Sequence, residues 1–419
     1  RTFVLNRPEA YNALNLGMVR TMTPQLQAWE QSDLCKVIML KSDHPKAFCA
    51  GGDVKNVISL AKKKDPTALS FFEEEYQLNH LIATLRTPFV AIMNGITMGG
   101  GVGLSVHAPF RVATEKTMLA MPETAIGLFP DVGGTFFLPR LDGETGTYLA
   151  LTGDRLSGED VLYSGIATHF VPSHRLPALE ERLNELESDD LTVVNMAIEE
   201  FSAEPTKHRY SLGPHRDAID RCFKYNSVEE ILAALKKEKS EWADKTLETL
   251  NAMSPTSLRV TLRQLRIGRE LGILRSFQLE YSLVQKFLST PDFYEGVTAK
   301  LVENRAPQWS PATLAELPES KVEEEYFQTP APNSLSLLNG VDYKLSPHRK
   351  FMLPTEQDVR QAVMGERASS GSVRPNKAEV ISALTKEWNS RTFVRERVEE
   401  IVERCCRPDA EGYLNWTAA

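Results

Sequence analysis

Phe89-Val90-Ala91-Ile92-Met93-Asn94-Gly95-Ile96-Thr97-Met98-Gly99-Gly100-Gly101-Val102-Gly103 opens as an unbroken apolar run and ends as a glycine-rich turn. Five apolar residues bounded by turn residues suit a strand covered on both faces, as in a parallel sheet. Val37-Ile38-Met39-Leu40 is a second run of this kind. Helical stretches separate such runs. Asn15 is a candidate cap for a helix in which Met18, Met22, Leu26 and Trp29 recur at helical spacing. Asp65-Pro66 reads as N-cap and N1 of a helix running to about Leu85. The order β-α-β-α-β over the first 170 residues predicts an α/β layered fold.

Outward from this core the pattern changes. From about Pro172 to Pro307 helical periodicity dominates, in Leu176 to Leu186, Val228 to Leu235, Leu258 to Leu265 and Tyr281 to Phe287. Asn226 and Ser254-Pro255 are the expected helix starts. Pro311, Pro318, Pro330, Pro332 and Pro347 break regular structure and predict an extended wrapping segment over 307–353. Pro354 to Met364 and Asn376 to Arg404 read as helices, separated by a flexible Ala368-Ser369-Ser370-Gly371-Ser372. Val380, Leu384 and Trp388 fall on one face of the second, followed by Val394, Val398 and Ile401. The expected organisation is an α/β core over 1–172 that carries the functional site, a helical region over 173–315 packed on it, and a partly helical C-terminal extension over 316–419.

With 419 residues the chain can bury a sizeable core without a disulfide or metal staple. Cys35, Cys49, Cys222, Cys405 and Cys406 show no C-x-x-C spacing, which fits a reducing compartment better than a secreted framework. The net charge of −8 argues against a uniform basic footprint for nucleic acid. No apolar run approaches the ~20 residues that span a membrane. No cluster of His, Cys and acids has metal-ligand spacing, so no metal is expected. The chain opens at Arg1 and runs straight into strand-like Thr2-Phe3-Val4-Leu5, so an upstream segment, a targeting segment among the candidates, is expected.

Three stretches carry the chemistry. In Lys46-Ala47-Phe48-Cys49-Ala50-Gly51-Gly52-Asp53, small residues let the backbone approach a ligand with its N–H groups free to donate. The turn at Gly99 to Gly103 opens a helix expected over Val102 to His107, whose first amides are unsatisfied donors. Two such loops facing each other can form an oxyanion hole. Other readings of the glycines fail: no Lys follows them as in a P-loop, Leu104 occupies the third glycine position of a dinucleotide fingerprint, and Gly103-Leu104-Ser105-Val106-His107 lacks the last glycine of a serine elbow. Tight helix–strand packing remains as a purely structural alternative.

The third stretch is Met121-Pro122-Glu123-Thr124-Ala125-Ile126-Gly127-Leu128-Phe129-Pro130-Asp131-Val132-Gly133-Gly134. Glu123 and Asp131 sit among apolar residues, where a carboxylate is expensive unless paired or used. Two surface turn acids are the plainer alternative. His107 and His169 read as packing or hydrogen-bonding residues rather than bases, and Cys49 as a small neutral side chain rather than a nucleophile.

Together with Val4-Leu5-Asn6-Arg7-Pro8-Glu9-Ala10-Tyr11-Asn12-Ala13-Leu14-Asn15, these stretches resemble the crotonase (enoyl-CoA hydratase/isomerase) superfamily over about residues 1 to 315. Gly165-Ile166-Ala167-Thr168-His169-Phe170-Val171, Ser254-Pro255-Thr256-Ser257-Leu258, and Asp292-Phe293 with Glu295-Gly296-Val297 bring the match nearer to its thioester-hydrolase branch. That branch acts on 3-hydroxyisobutyryl-CoA in mitochondrial valine catabolism. The resemblance implies a ββα spiral core with a helical C-terminal region and oxyanion donors on the amides of Gly52 and Gly100. It makes Glu123 the catalytic carboxylate and Asp131 a second acid that contacts substrate. Glu75, with Gly51 and Asp53, is implied in substrate binding, although Glu73-Glu74-Glu75 also reads as an ordinary solvated helix face. Hydratases carry a second glutamate where Gly103 stands here, so the hydratase reading loses its acid pair. The implied partner is a small acyl-CoA, with no further cofactor, nucleic acid or membrane. The implied assembly is a homo-oligomer, unless the C-terminal extension covers that surface. A hydratase or isomerase, and a non-catalytic acyl-CoA-binding subunit docking through 316–419, are the alternatives.

Overall fold

The computed structural model describes residues 1–206, 208–367 and 374–418. Its apolar runs pair into two sheets. The first has the order β1 (Thr2–Leu5), β2 (Ile38–Ser42), β4 (Phe89–Met93), β6 (Phe110–Ala113), β9 (His169–Phe170), all parallel. The second has the order β3 (Ala47–Cys49), β5 (Ile96–Met98), β7 (Met118–Ala120), β8 (Leu156–Ser157), parallel except at β7–β8.

From β2 to β7 consecutive strands alternate between the sheets. After each long run a tight turn sends the chain into a three-residue strand of the second sheet, and helical segments return it to the first. This is the expected α/β ββα spiral. At the β4–β5 corner only glycine fits: Gly95 has φ +113°, and a Cβ there would lie 2.6 Å from Lys46 O.

The helix signals are realised with small shifts. Asn15 caps Leu16–Glu30 by accepting from Met18 N at 2.9 Å, and Ser254 caps Pro255–Gly268 with Pro255 at its first position. Asp65 Oδ1 accepts from Thr67 N at 2.9 Å ahead of Thr67–Thr84. The start expected at Asn226 belongs to Ser227, which caps Val228–Glu238. Helix Ile273–Phe287 packs along Thr67–Thr84, so the helical region covers the side of the core that carries the site. The helix expected over Val102 to His107 is instead one turn, Gly100–Gly103, followed by tighter turns.

Two C-terminal expectations are corrected. The span 307–353 is not extended throughout: Glu319–Val322 is helical and continues as a wider coil over Glu323–Gln328, with Val322 and Tyr326 buried. The helix expected over Asn376 to Arg404 is two, Lys377–Glu387 and Val394–Cys405, broken where Asn389, Ser390 and Phe393 adopt left-handed backbone. A hairpin of Cys406–Pro408 with Leu414–Trp416 ends the described chain, so Cys405 closes a helix and Cys406 opens a strand. The flexible segment expected at Ala368-Ser369-Ser370-Gly371-Ser372 lies outside the described residues.

The extension is fastened to the core by buried arginines. Arg397 reaches Asp142 Oδ2 and Glu400 Oε2, each at 2.5 Å. Arg391 binds Glu199 Oε1 at 2.8 Å and donates to Thr168 O at 3.0 Å. Removing one partner of a buried pair leaves an uncompensated charge. Arg397→Met is therefore expected to lower the unfolding free energy by about 3–5 kcal/mol, read as a lower urea midpoint at unchanged slope.

Candidate active site

Both glycine loops and both acids of the third stretch converge on one cavity of about 180 Å³. Gly51, Gly52, Gly99 and Gly100 form one side, Glu75, Phe71 and Phe72 of helix Thr67–Thr84 another, and Glu123, Asp131 and Val132 the third. Leu301, 42% exposed, lies at the rim. Among the described residues neither the Gly52 nor the Gly100 N–H has an acceptor. The two loops touch: a Cβ on Gly100 would lie 3.1 Å from Gly52 N and 2.6 Å from Glu75 Oε1. A Cβ on Gly99 would lie 2.7 Å from Glu123 Oε1. Glycine is thus required because carboxylates and donors approach the backbone closely, which is more than helix–strand packing demands.

Three carboxylates share this space. Glu123 is 6% exposed, and its Oε2 has no hydrogen-bond partner. Burial, then the nearby Asp131, raises it well above the ordinary carboxylate range. Glu75 is 2% exposed with Oε1 unpartnered; burial, then Asp131, Glu123 and Glu280, raise it likewise. The solvated-face reading therefore fails for Glu75, although its neighbour Glu74 does pair at the surface with Arg20. Asp131 is raised to about 6 by burial, against the Tyr76 hydroxyl, which donates to its Oδ2 at 2.7 Å.

Gly51 lines the cavity as expected. Asp53 does not: it caps Val54–Lys62 by accepting from Asn56 N at 3.2 Å and pairs with Arg7 at 2.8 Å. Its expected contact with substrate is replaced by a structural role that holds the Gly52 loop. Cys49 is fully buried and its thiol is pushed up to about 12, so it is no nucleophile. His169 packs beside Glu199 and Arg391, with burial lowering it to about 4. Among the described residues no cluster of three His, Cys, Asp or Glu side chains could hold a metal ion.

The loop bearing Asp131 is braced from behind. Val132 adopts φ +49°, a left-handed conformation unfavourable for a β-branched residue. Three buried side chains hold it there. His107 Nε2 lies 2.8 Å from Val132 O, Gln264 Nε2 donates to Pro130 O at 2.8 Å, and Glu280 accepts from Gly133 N and Thr135 N, each at 2.8 Å. Burial pushes Glu280 up to about 8, against the pull of those donors. Sequence reasoning missed Tyr76, Gln264 and Glu280. For Glu280 a signal existed: it lies on the apolar face of its helix with Ile273, Phe277 and Val284, where an acid needs a partner.

Gly103 tests the alternative chemistry. A Cβ there would lie 2.6 Å from Val132 Cβ and 2.8 Å from Asn79 Oδ1, so a second glutamate cannot be seated without moving the strained loop. Gly103→Glu is expected to destabilise the protein by at least about 1–3 kcal/mol and to create no hydration of crotonyl-CoA, checked by thermal unfolding and enoyl absorbance.

The two-sheet ββα spiral, with paired glycine-loop amides facing buried carboxylates, is a crotonase-type fold. The chain belongs to the enoyl-CoA hydratase/isomerase family, whose model matches residues 1–327. It is similar to the mitochondrial 3-hydroxyisobutyryl-CoA hydrolase of Homo sapiens, with 48% identity over 77% of this chain and 84% of the relative. It is also similar to the small ribosomal subunit protein mS47 of Neurospora crassa, with 45% identity over 99% of this chain and 86% of the relative. Among solved structures, a carnitinyl-CoA dehydratase from Mycobacterium thermoresistibile superposes with a TM-score of 0.75 at 36% identity, covering 81% of this chain and 96% of the other.

Proposed function

We propose that the chain hydrolyses a short 3-hydroxyacyl-CoA thioester, 3-hydroxyisobutyryl-CoA in the valine catabolism of mitochondria, with no cofactor beyond the coenzyme A of the substrate. The observation that carries this reading is the unpartnered, buried Glu123 Oε2 beside two glycine amides that have no acceptor. Relatives of hydrolase name at 48% identity support it, as does Gly103, which leaves no room for the hydratase pair.

In the proposed mechanism the thioester oxygen sits between the Gly52 and Gly100 amides, which stabilise the tetrahedral oxyanion. Glu123, poorly solvated and therefore strongly basic when ionised, takes a proton from water as the water oxygen attacks the carbonyl carbon. The C–S bond then breaks and the thiolate takes up a proton as coenzyme A. Alternatively Glu123 attacks the carbonyl carbon itself, expels the thiolate and leaves an anhydride that water opens. Asp131 and Glu75, on different sides of the cavity, both face the space where the substrate hydroxyl would lie, and ionised Asp131 accepts its hydrogen bond. The cavity of about 180 Å³ suits a short acyl head and not a long chain.

Removal of the substrate hydroxyl tests this assignment. Isobutyryl-CoA is expected to be cleaved with a much lower kcat/KM than 3-hydroxyisobutyryl-CoA; equal values would remove Asp131 from hydroxyl recognition. A pH effect follows as well. Activity needs ionised Asp131 and Glu123, so it rises with pH through about 6 and above, where Asp131 ionises. The Tyr76 hydroxyl favours the charged form of Asp131, so Tyr76→Phe is expected to move the part of the acidic limb set by Asp131 about one unit alkaline. An unmoved limb would contradict that link.

A second reading rests on one observation: the ribosomal relative aligns with 99% of this chain, whereas the human hydrolase aligns with 77%. The same fold would then serve as a subunit of the mitochondrial ribosome, docked in part through the C-terminal extension beyond the family match at residue 327. Sedimentation of the full-length chain with the small ribosomal subunit on a sucrose gradient would support it. Migration as free protein, together with thioester turnover, would leave the hydrolase reading alone.

A further inference from the structure

A second cavity lies on the far side of His107. It has a volume of about 250 Å³ and sits between the core and the strap that runs from Tyr343 to Gln357. Its lining is mostly apolar, with Val106, Phe137, Ile166, Leu345 and Met352 contributing. Two arginines stand in this wall with no acid in ion-pair contact among the described residues, although the charge of Glu270 acts on Arg140. Arg111 is 4% exposed; its Nε donates to Ile166 O at 2.5 Å and its Nη1 to Ala108 O at 2.8 Å, while Nη2 donates to no described residue. Arg140 is held only by carbonyl oxygens, those of Lys344, Phe136, Gly268 and Leu271, with its guanidinium 4.0 Å above the Phe136 ring. Neither has an ion pair among the described residues. The other charged groups of the wall are neutralised: Asp142 by Arg397 and Arg349 by Asp358.

Carbonyl dipoles satisfy hydrogen bonds but do not neutralise a charge, and a buried guanidinium without a counter-ion is expensive. Arginine with a free N–H is suited to a carboxylate. The apolar remainder of the wall is suited to a hydrocarbon body and unsuited to a phosphate or sulfate, which would leave oxygens unpaired. We propose that this cavity is a binding site for a small monocarboxylate with an apolar body, its carboxylate on Arg111 and its body among Val106, Ile166, Leu345 and Met352. Access runs past Leu345, which is 66% exposed on a strap with little regular structure.

The test is fluorine NMR of 4-fluorobenzoate with the full-length protein, a measurement that does not depend on turnover and so stands apart from the hydrolase reading. The expected result is saturable broadening of the fluorine signal. Arg111→Met weakens it at least about ten-fold, the loss of one charge-assisted hydrogen bond. Leu345→Trp, at an exposed position that tolerates the change, fills the opening and abolishes it. Gly100→Ala, which closes the other cavity, leaves it unaltered. No broadening would overturn the proposal, and so would broadening that survives both Arg111→Met and Leu345→Trp, or that disappears with Gly100→Ala.

Discussion

Glu123→Gln is expected to lower kcat for thioester cleavage by about 100- to 10,000-fold, the range over which a positioned proton acceptor contributes, while acyl-CoA binding is retained. The substitution is nearly isosteric. Glu123 lies in a short turn, Glu123–Ile126, and its Oε2 has no partner, so an amide nitrogen in place of that oxygen breaks no hydrogen bond. Taking one carboxylate from a cavity that also holds Asp131 and Glu75 relieves like-charge repulsion. The variant should therefore fold at least as well as the parent. Coenzyme A release in single turnover, set beside direct binding of the ester, separates the two effects. Equal loss of binding and turnover would mean that Glu123 shapes the pocket and does not act on the carbonyl or the water.

Gly100→Ala should be as damaging for a different reason. Its Cβ would enter the gap between Glu75 Oε1 at 2.6 Å and Gly52 N at 3.1 Å, where the thioester oxygen is placed in the proposed mechanism. Glu75 can swing away in part, but the Gly52 backbone cannot. Loss of one oxyanion donor lowers kcat by about 100- to 1,000-fold, and here one methyl group disturbs both donors. Steady-state kinetics should show a fall in kcat with the folded state preserved by circular dichroism. Near-normal kcat would place the carbonyl elsewhere.

The first sheet was legible because its central strands are buried on both faces, which leaves continuous runs such as Phe89 to Met93. The strands of the second sheet, such as Ile96–Met98 and Met118–Ala120, are too short to show a period. The break between the last two helices was hidden because Asn389, Ser390 and Phe393 bend the chain without a glycine or proline to mark it. Within the site, the glycine loops, Glu123 and Asp131 announced themselves as local patterns. Glu75 did not, since an acid in Glu73-Glu74-Glu75 is buried or solvated according to what packs against it, and here the Gly100 turn does. Tyr76 and Glu280 reach the Asp131 loop from helices distant in sequence, so their partnership is a property of the fold.

Thioester hydrolysis by this site is measured as free-thiol release from 3-hydroxyisobutyryl-CoA, 3-hydroxypropionyl-CoA, crotonyl-CoA and acetyl-CoA by the full-length protein. Rapid release from the two 3-hydroxyacyl esters and little from the others is expected, with release lost in Glu123→Gln. Consumption of crotonyl-CoA without free thiol, or no release from any of the four, would contradict it.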